Sequence, residues 1–174
     1  AAADGDIIHV APAPGGYDPI TIQGKSVKIY GPGYFVGNVG WNHIRVAGNV
    51  GSRVDVAIIG PAASGTEIYG LNLGRIEPKN SDTSAPLENV VIARCVIRAF
   101  LRDDVDDGLI SNFVLRNNII EFVDTRRANS LALPISNLVL ANNILSNSAF
   151  LTNGGVHQVY NNIFRGGSDI RFNN

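Results

Sequence analysis

The sequence predicts an all-β fold: one domain over residues 1–174, in which short strands stack as a solenoid of about seven rungs. Three observations predict it. First, four segments can be laid under one another: 89–97 (NVVIARCVI), 112–120 (NFVLRNNII), 137–145 (NLVLANNIL) and 156–164 (VHQVYNNIF). Their starts lie 23, 25 and 19 residues apart, by subtraction of 89, 112, 137 and 156. A repeat of that length means stacked units, each too small to bury its apolar face alone. Second, the last three segments carry an Asn pair at the same place: Asn117-Asn118, Asn142-Asn143 and Asn161-Asn162. Third, apolar residues alternate elsewhere (Ile20 and Ile22, Val27 and Ile29), and no long amphipathic helical pattern is found.

Each rung reads as two strands joined by a bend. In the first segment, 90–92 and 96–97 are the strands and Arg94-Cys95 the bend. Asn tolerates the left-handed backbone that a one- or two-residue bend requires. Its amide, stacked at equivalent positions, can also hydrogen-bond to the next rung. Asn118, Asn143 and Asn162, with Asn117, Asn142 and Asn161 before them, are therefore the expected structural ladder. The first segment departs from the pattern by placing Cys95 where the others have Asn. A lone Cys excludes an intramolecular disulfide, and its place inside the repeat predicts a buried thiol.

With these bends the chain resembles the right-handed parallel β-helix proteins, the pectate-lyase-like superfamily, whose bends carry such Asn stacks. The resemblance covers about half the chain and is one of architecture. It implies an extracellular β-helix and no single activity. Enzymes of this architecture place carboxylate clusters, with Ca2+ or a basic residue, on the outer face of the strands.

Taken in order, 6–12 is a strand ending at Pro12, and Gly15-Gly16 turns the chain into 17–23. A third strand, 25–30, precedes Gly31-Pro32-Gly33, and this opening looks like the first rungs of many extracellular β-helix proteins. Segments 34–36, 44–46 and 54–59 continue the series, with Trp41 and His43 in a Gly-rich connection. Residues 66–73 extend the repeat back to Gly65, 24 residues before Asn89 (89 − 65), so 65–164 is the clearest stretch. The polar segment 74–86, with two prolines, is expected to protrude as a loop. Segments 100–108 and 123–130 are charged excursions that could face each other, Asp103, Asp104, Asp106 or Asp107 pairing with Arg126 or Arg127. Residues 168–174 begin a further strand.

Composition narrows the partners. A net charge of −1 gives no electrostatic reason to expect nucleic acid or an anionic membrane. Apolar runs are short and broken by polar residues, so none spans a bilayer. There is no Met, and AAADGD is compatible with the region after a signal-peptidase cut, which predicts a processed chain that is secreted, extracellular or on the cell surface.

The chemistry-bearing groups are few. Asp103, Asp104, Asp106 and Asp107, beside Arg102, offer oxygen ligands for Ca2+ and carboxylates for acid–base work. They sit in a turn and lack the Asp-x-Asp-x-Asp-Gly order, so a solvated acidic loop is expected first, a Ca2+ site second and catalysis third. Arg94 and Arg116 occupy nearly equivalent places on successive rungs, as do Arg98 and Glu121 to within one position. Cross-rung ion pairs are the plain reading and an anionic-sugar site the sharper one. His9, His43 and His157 share no metal-ligand spacing, and no Ser-His-Asp order, GxSxG, P-loop or dinucleotide fingerprint occurs. Tyr17, Tyr34 and Trp41 could stack on sugars, although packing is the ordinary use of such residues. No catalytic residue is nominated.

These features lead to an expectation of a non-catalytic extracellular module that self-assembles end to end into fibres. Two alternatives remain: a carbohydrate-binding or adhesin module, and a lyase-like enzyme acting on an acidic polysaccharide by β-elimination.

Overall fold

A computed structural model describes residues 2–35, 53–101, 108–125, 135–152, 155–165 and 169–173. Apart from one 3-10 turn at Pro32–Phe35, which extends the expected Gly31-Pro32-Gly33 turn into the start of the strand expected at 34–36, its regular structure is all β. Gly31-Pro32-Gly33 favours that turn, since Pro cannot donate to a ladder. The early strands are β1 (Ile7–His9), β2 (Ile20–Ile22), β3 (Lys28–Tyr30), β4 (Arg53–Ile59), β5 (Glu67–Tyr69) and β6 (Asn72–Pro78). The central ones are β7 (Leu87–Ala93), β8 (Val96–Leu101), β9 (Ile110–Arg116) and β10 (Ile119–Asp124). The last are β11 (Ile135–Ser136), β12 (Val139–Ala141), β13 (Ile144–Leu145), β14 (Ala149–Thr152), β15 (Gln158–Tyr160), β16 (Ile163–Phe164) and β17 (Ile170–Asn173).

Successive strands alternate between two walls. One sheet runs β1-β3-β5-β7-β9-β12-β15 and the other β2-β4-β6-β8-β10-β13-β16. Every pairing is parallel. That is a β-solenoid of about five turns, fewer than the seven obtained by dividing the chain into equal rungs. The pairs at the two ends are too short and exposed to make full turns, and the rungs are unequal, the advance from Lys28 to its partner Glu67 alone taking 39 residues (67 − 28). The five full turns are β3/β4, β5/β6, β7/β8, β9/β10 and β12/β13. Outside them, β1/β2 and β15/β16 are two- or three-residue pairs with mostly exposed or half-buried side chains.

Parallel register puts like residues on top of one another, and this makes the core. Ile29, Ile68, Ile92, Leu115 and Leu140 form one aliphatic column from the first sheet. Leu73, Ile97, Ile120 and Leu145 form its counterpart on the second. All nine are buried. Phe100 and Phe113, both fully buried, meet edge to face with centroids 6.0 Å apart. Apolar columns at roughly 4.8 Å spacing leave no room for water, so burial is the main stabilising term.

The segment 74–86 is not all loop. β6 continues to Pro78, with Ile76 in the core and Glu77 ion-paired to both Arg75 and Lys79. Gly74 and Pro78 look like loop punctuation in sequence, but each has a positional use inside the strand. At Gly74 an added Cβ would lie 2.5 Å from the Asp55 carbonyl oxygen, so only glycine lets the two strands approach this closely. What remains of the loop folds back: Asn80 is buried and donates to the carbonyls of Ala85 and Leu109, both at 2.9 Å. No helix among the described residues is long and apolar enough to cross a membrane.

Truncating Phe113 to Ala should lower the unfolding free energy by about 3–5 kcal/mol, the usual cost of emptying a fully packed aromatic site. Urea titration of the two proteins measures it. A loss below about 1 kcal/mol would mean that the interior is not packed as described.

Candidate functional site

The feature on which the rungs converge is the two-residue bend between the sheets. Its first residue has positive φ at the five bends from β5/β6 onward: Gly70 (66°), Arg94 (56°), Asn117 (56°), Asn142 (55°) and Asn161 (54°). Glycine and asparagine suit that conformation; Arg94 adopts it at a cost of order 1 kcal/mol. The second residue turns inward. Asn118 and Asn143 are 2% and 1% exposed, and Cys95 is 2% exposed at the equivalent place.

The inward residues are hydrogen-bonded from rung to rung. The Cys95 backbone N–H donates to Asn118 Oδ1 (2.9 Å), that of Asn118 to Asn143 Oδ1 (2.9 Å), and that of Asn143 to Asn162 Oδ1 (2.8 Å). Each Nδ2 donates to a carbonyl of the previous rung: Asn118 to Ile92 (3.0 Å), Asn143 to Leu115 (2.8 Å), Asn162 to Leu140 (2.7 Å). An amide can accept and donate at once, which is why Asn suits a place where both a buried N–H and a buried C=O need partners. Cys95 continues the column with a weaker acceptor, its Sγ lying 3.5 Å from the Leu71 N–H and 3.3 Å from the Ala93 carbonyl. Burial pushes this thiol up to about 12, so it stays protonated and unreactive at neutral pH.

A second row of amides runs along the outside. Asn89, Asn112 and Asn137 also have positive φ (59°, 53° and 54°) and stand in register. Asn112 Nδ2 donates to Asn89 Oδ1 (3.2 Å), Asn137 to Asn112 (2.6 Å) and Gln158 to Asn137 (3.3 Å). The sequence reading assigned this row no role. The signal was available, since an Asn opens three of the four repeats.

The outer face of the first sheet carries a third alignment, also missed. His9, Tyr30 and Tyr69 stand in one register column with their rings stacked, at 5.7 Å and 5.2 Å between centroids. Beside them Lys28 and Glu67 pair at 2.9 Å, and the Tyr69 hydroxyl donates to Glu67 at 2.6 Å. Burial and the Glu67 acceptor push the Tyr69 phenol up to about 12. In return the Tyr69 donor, then Lys28, hold Glu67 below the usual carboxylate range.

The remaining sequence candidates are placed as follows. Arg94 occupies the left-handed bend position, whereas Arg116 ends β9 one residue before its own bend, so the two are neighbours on adjacent rungs without sharing a register. Arg98 and Glu121 share one register on β8 and β10, closer than the sequence alignment put them. They line a groove of about 340 Å3 with Arg53 and Ser146. Tyr17 donates its hydroxyl to the Ala11 carbonyl (2.7 Å). Asp103, Asp104, Asp106, Asp107, Arg102, Arg126, Arg127, Trp41 and His43 lie outside the described residues. Among the described residues no group of three His, Cys, Asp or Glu side chains could hold a metal ion.

Comparison of the chain with protein-family models, with curated proteins and with solved structures finds no match to any of them. The parallel β-solenoid therefore rests on the strand pairings themselves.

Replacing Asn118 by Ala removes the acceptor for the Cys95 N–H and the donor to the Ile92 carbonyl. Two unsatisfied buried groups should cost about 2–4 kcal/mol. Asn117→Gly, at the left-handed position, should change stability by no more than about 1 kcal/mol. Chemical denaturation of both variants checks the contrast, and equal losses would contradict it.

Proposed function

We propose that this chain is a non-catalytic structural module that associates end to end with further copies of itself. One observation carries the reading: among the described residues, the strands of the first and last rungs are paired on one side only and run in directions that suit each other. β1 and β2 at one end, and β15 and β16 at the other, are paired on one side only among the described residues. Apolar side chains accompany these edges. Ile7 is 60% exposed at the first, and Val156 and Ile163 are 75% and 62% exposed at the second. Near the first end, a cavity of about 630 Å3 is lined by Ile8, Val10, Ile20, Ile22 and Val27 among others.

Because all strands are parallel, the last rung of one copy offers the strand direction that the first rung of the next requires. Such a contact is heterologous and does not close, so it propagates into a filament. Rigid, hydrogen-bonded bends suit a rod. The setting we propose is extracellular, in keeping with the resemblance to the pectate-lyase-like superfamily. A second reading, glycan binding without turnover, is favoured by the groove between Arg53, Arg98 and Glu121, which crosses the rungs of the second sheet.

Light scattering with negative-stain microscopy should find concentration-dependent rods of the 18.5 kDa chain. Ile163→Lys should leave the chain folded and reduce the rods to single particles. A strictly monomeric wild type at every concentration would overturn the proposal. An oligouronate bound by that monomer, and lost in Arg98→Ala, would assign the glycan reading instead.

A further inference from the structure

We propose that the joint between copies continues the coil without a break in register: β15 of one copy pairs with β1 of the next, with Val159 opposite Ile8. The occupant of the first end is then the last rung of a second copy, and this pairing rests on the end-to-end association proposed for the chain. The inner columns set the register. In the first sheet, the column that starts at Ile8 passes through Ile29 and Leu140 and ends at Val159. In the second, the column that starts at Ile20 passes through Ile76 and Phe100 and ends at Ile170. Every member in between is buried, whereas the four terminal ones are only partly so. An inner side chain stays partly exposed where its column lacks the next member. Stacking one copy on another supplies that member at both ends at once, Val159 against Ile8 and Ile170 against Ile20. The cavity of about 630 Å3 at the first end, lined in part by Ile8 and Ile20, is what these two side chains fill.

A third column agrees. It starts at Tyr17, bridged to Val54, and ends at Phe164, both rings being exposed. The same register lays Phe164 against Tyr17, whose hydroxyl is already anchored on the Ala11 carbonyl. One residue further along each strand, Arg165 meets Asp18 of the next copy, opposite charges on the exposed face.

The backbone alternation fits as well. The Lys28 N–H donates to the Asp6 carbonyl and the Val10 N–H to the Tyr30 carbonyl, so alternate residues of β1 serve β3 and the Ile7 carbonyl points away from it. The Gln158 N–H donates to the Leu138 carbonyl, so the Val159 N–H points away from β12. With Val159 opposite Ile8, that N–H faces the Ile7 carbonyl. A slip of one residue breaks the match and turns the inner side chains outward. A slip of two keeps the alternation but separates Phe164 from Tyr17.

Disulfide trapping reads the register directly. Facing residues of paired strands lie roughly 4.8 Å apart, within the span of a disulfide, while residues offset by two lie about 8 Å apart, beyond it. The test uses two double variants of the whole chain, Ile7→Cys/Gln158→Cys and His9→Cys/Gln158→Cys, whose sites are all exposed. Native Cys95 is buried and takes no part in the linking. After mild oxidation, non-reducing gels should show a ladder of linked copies from the first variant, formed at least about tenfold faster than from the second. Rods that link in neither variant, equally in both, or faster in the second overturn the register and leave end-to-end association in place. Absence of both rods and ladder overturns the two together. A monomer whose first end takes up an apolar dye gives the cavity to a small ligand and overturns them too.

Discussion

Each two-residue bend between the sheets puts a backbone N–H and a neighbouring carbonyl inside the coil, where water does not reach. Those groups must find partners, and the rest of the structure depends on how they do. A side chain that both accepts and donates, placed one residue after a left-handed turn residue, meets the need from the adjacent rung. Asn118, Asn143 and Asn162 do this in succession, and Cys95 does it less well at the position where the column ends. Once the bends are fixed in register, the aliphatic columns on either side are fixed too, because the side-chain period of two allows no slip without turning the core outward. Burial then supplies most of the stabilisation, and the hydrogen bonds supply its geometry.

Much of this was legible in sequence because it is local and periodic. The Asn pairs announced the bend, and their spacing announced the stack. Cys95 was legible as a buried thiol because it stood where Asn stood in the other repeats. Features that need register between unequal rungs were not legible. His9, Tyr30 and Tyr69 are 21 and 39 residues apart (30 − 9 and 69 − 30), so no fixed period links them. The count of turns was too high because the short, exposed pairs β1/β2 and β15/β16 do not make full turns. Gly74 misled because glycine and proline mark loops more often than close backbone approaches within a strand, and only the neighbouring carbonyl of Asp55 shows the difference.

The division of labour between inner and outer faces bears on function. Inside, nearly every described residue serves packing or the bends. Outside, the same register lines up whatever side chains the sequence supplies: a row of amides, a row of rings, a column with Arg98 and Glu121. Such rows come at little cost once the coil exists, because neighbours at strand spacing touch without further design. A surface of that kind suits repeated contacts better than a single reactive centre, which is the physical ground for the structural reading we propose.

The most direct test is native-state hydrogen exchange at the bend amides. If the inward column fixes the coil, the N–H groups of Cys95, Asn118 and Asn143 should exchange only through global unfolding, with the same protection as the core amides of Ile92 and Leu115. Exchange of those three at the rate of an exposed loop amide, in a protein whose core amides remain protected, would show that the bends are not what holds the rungs in place.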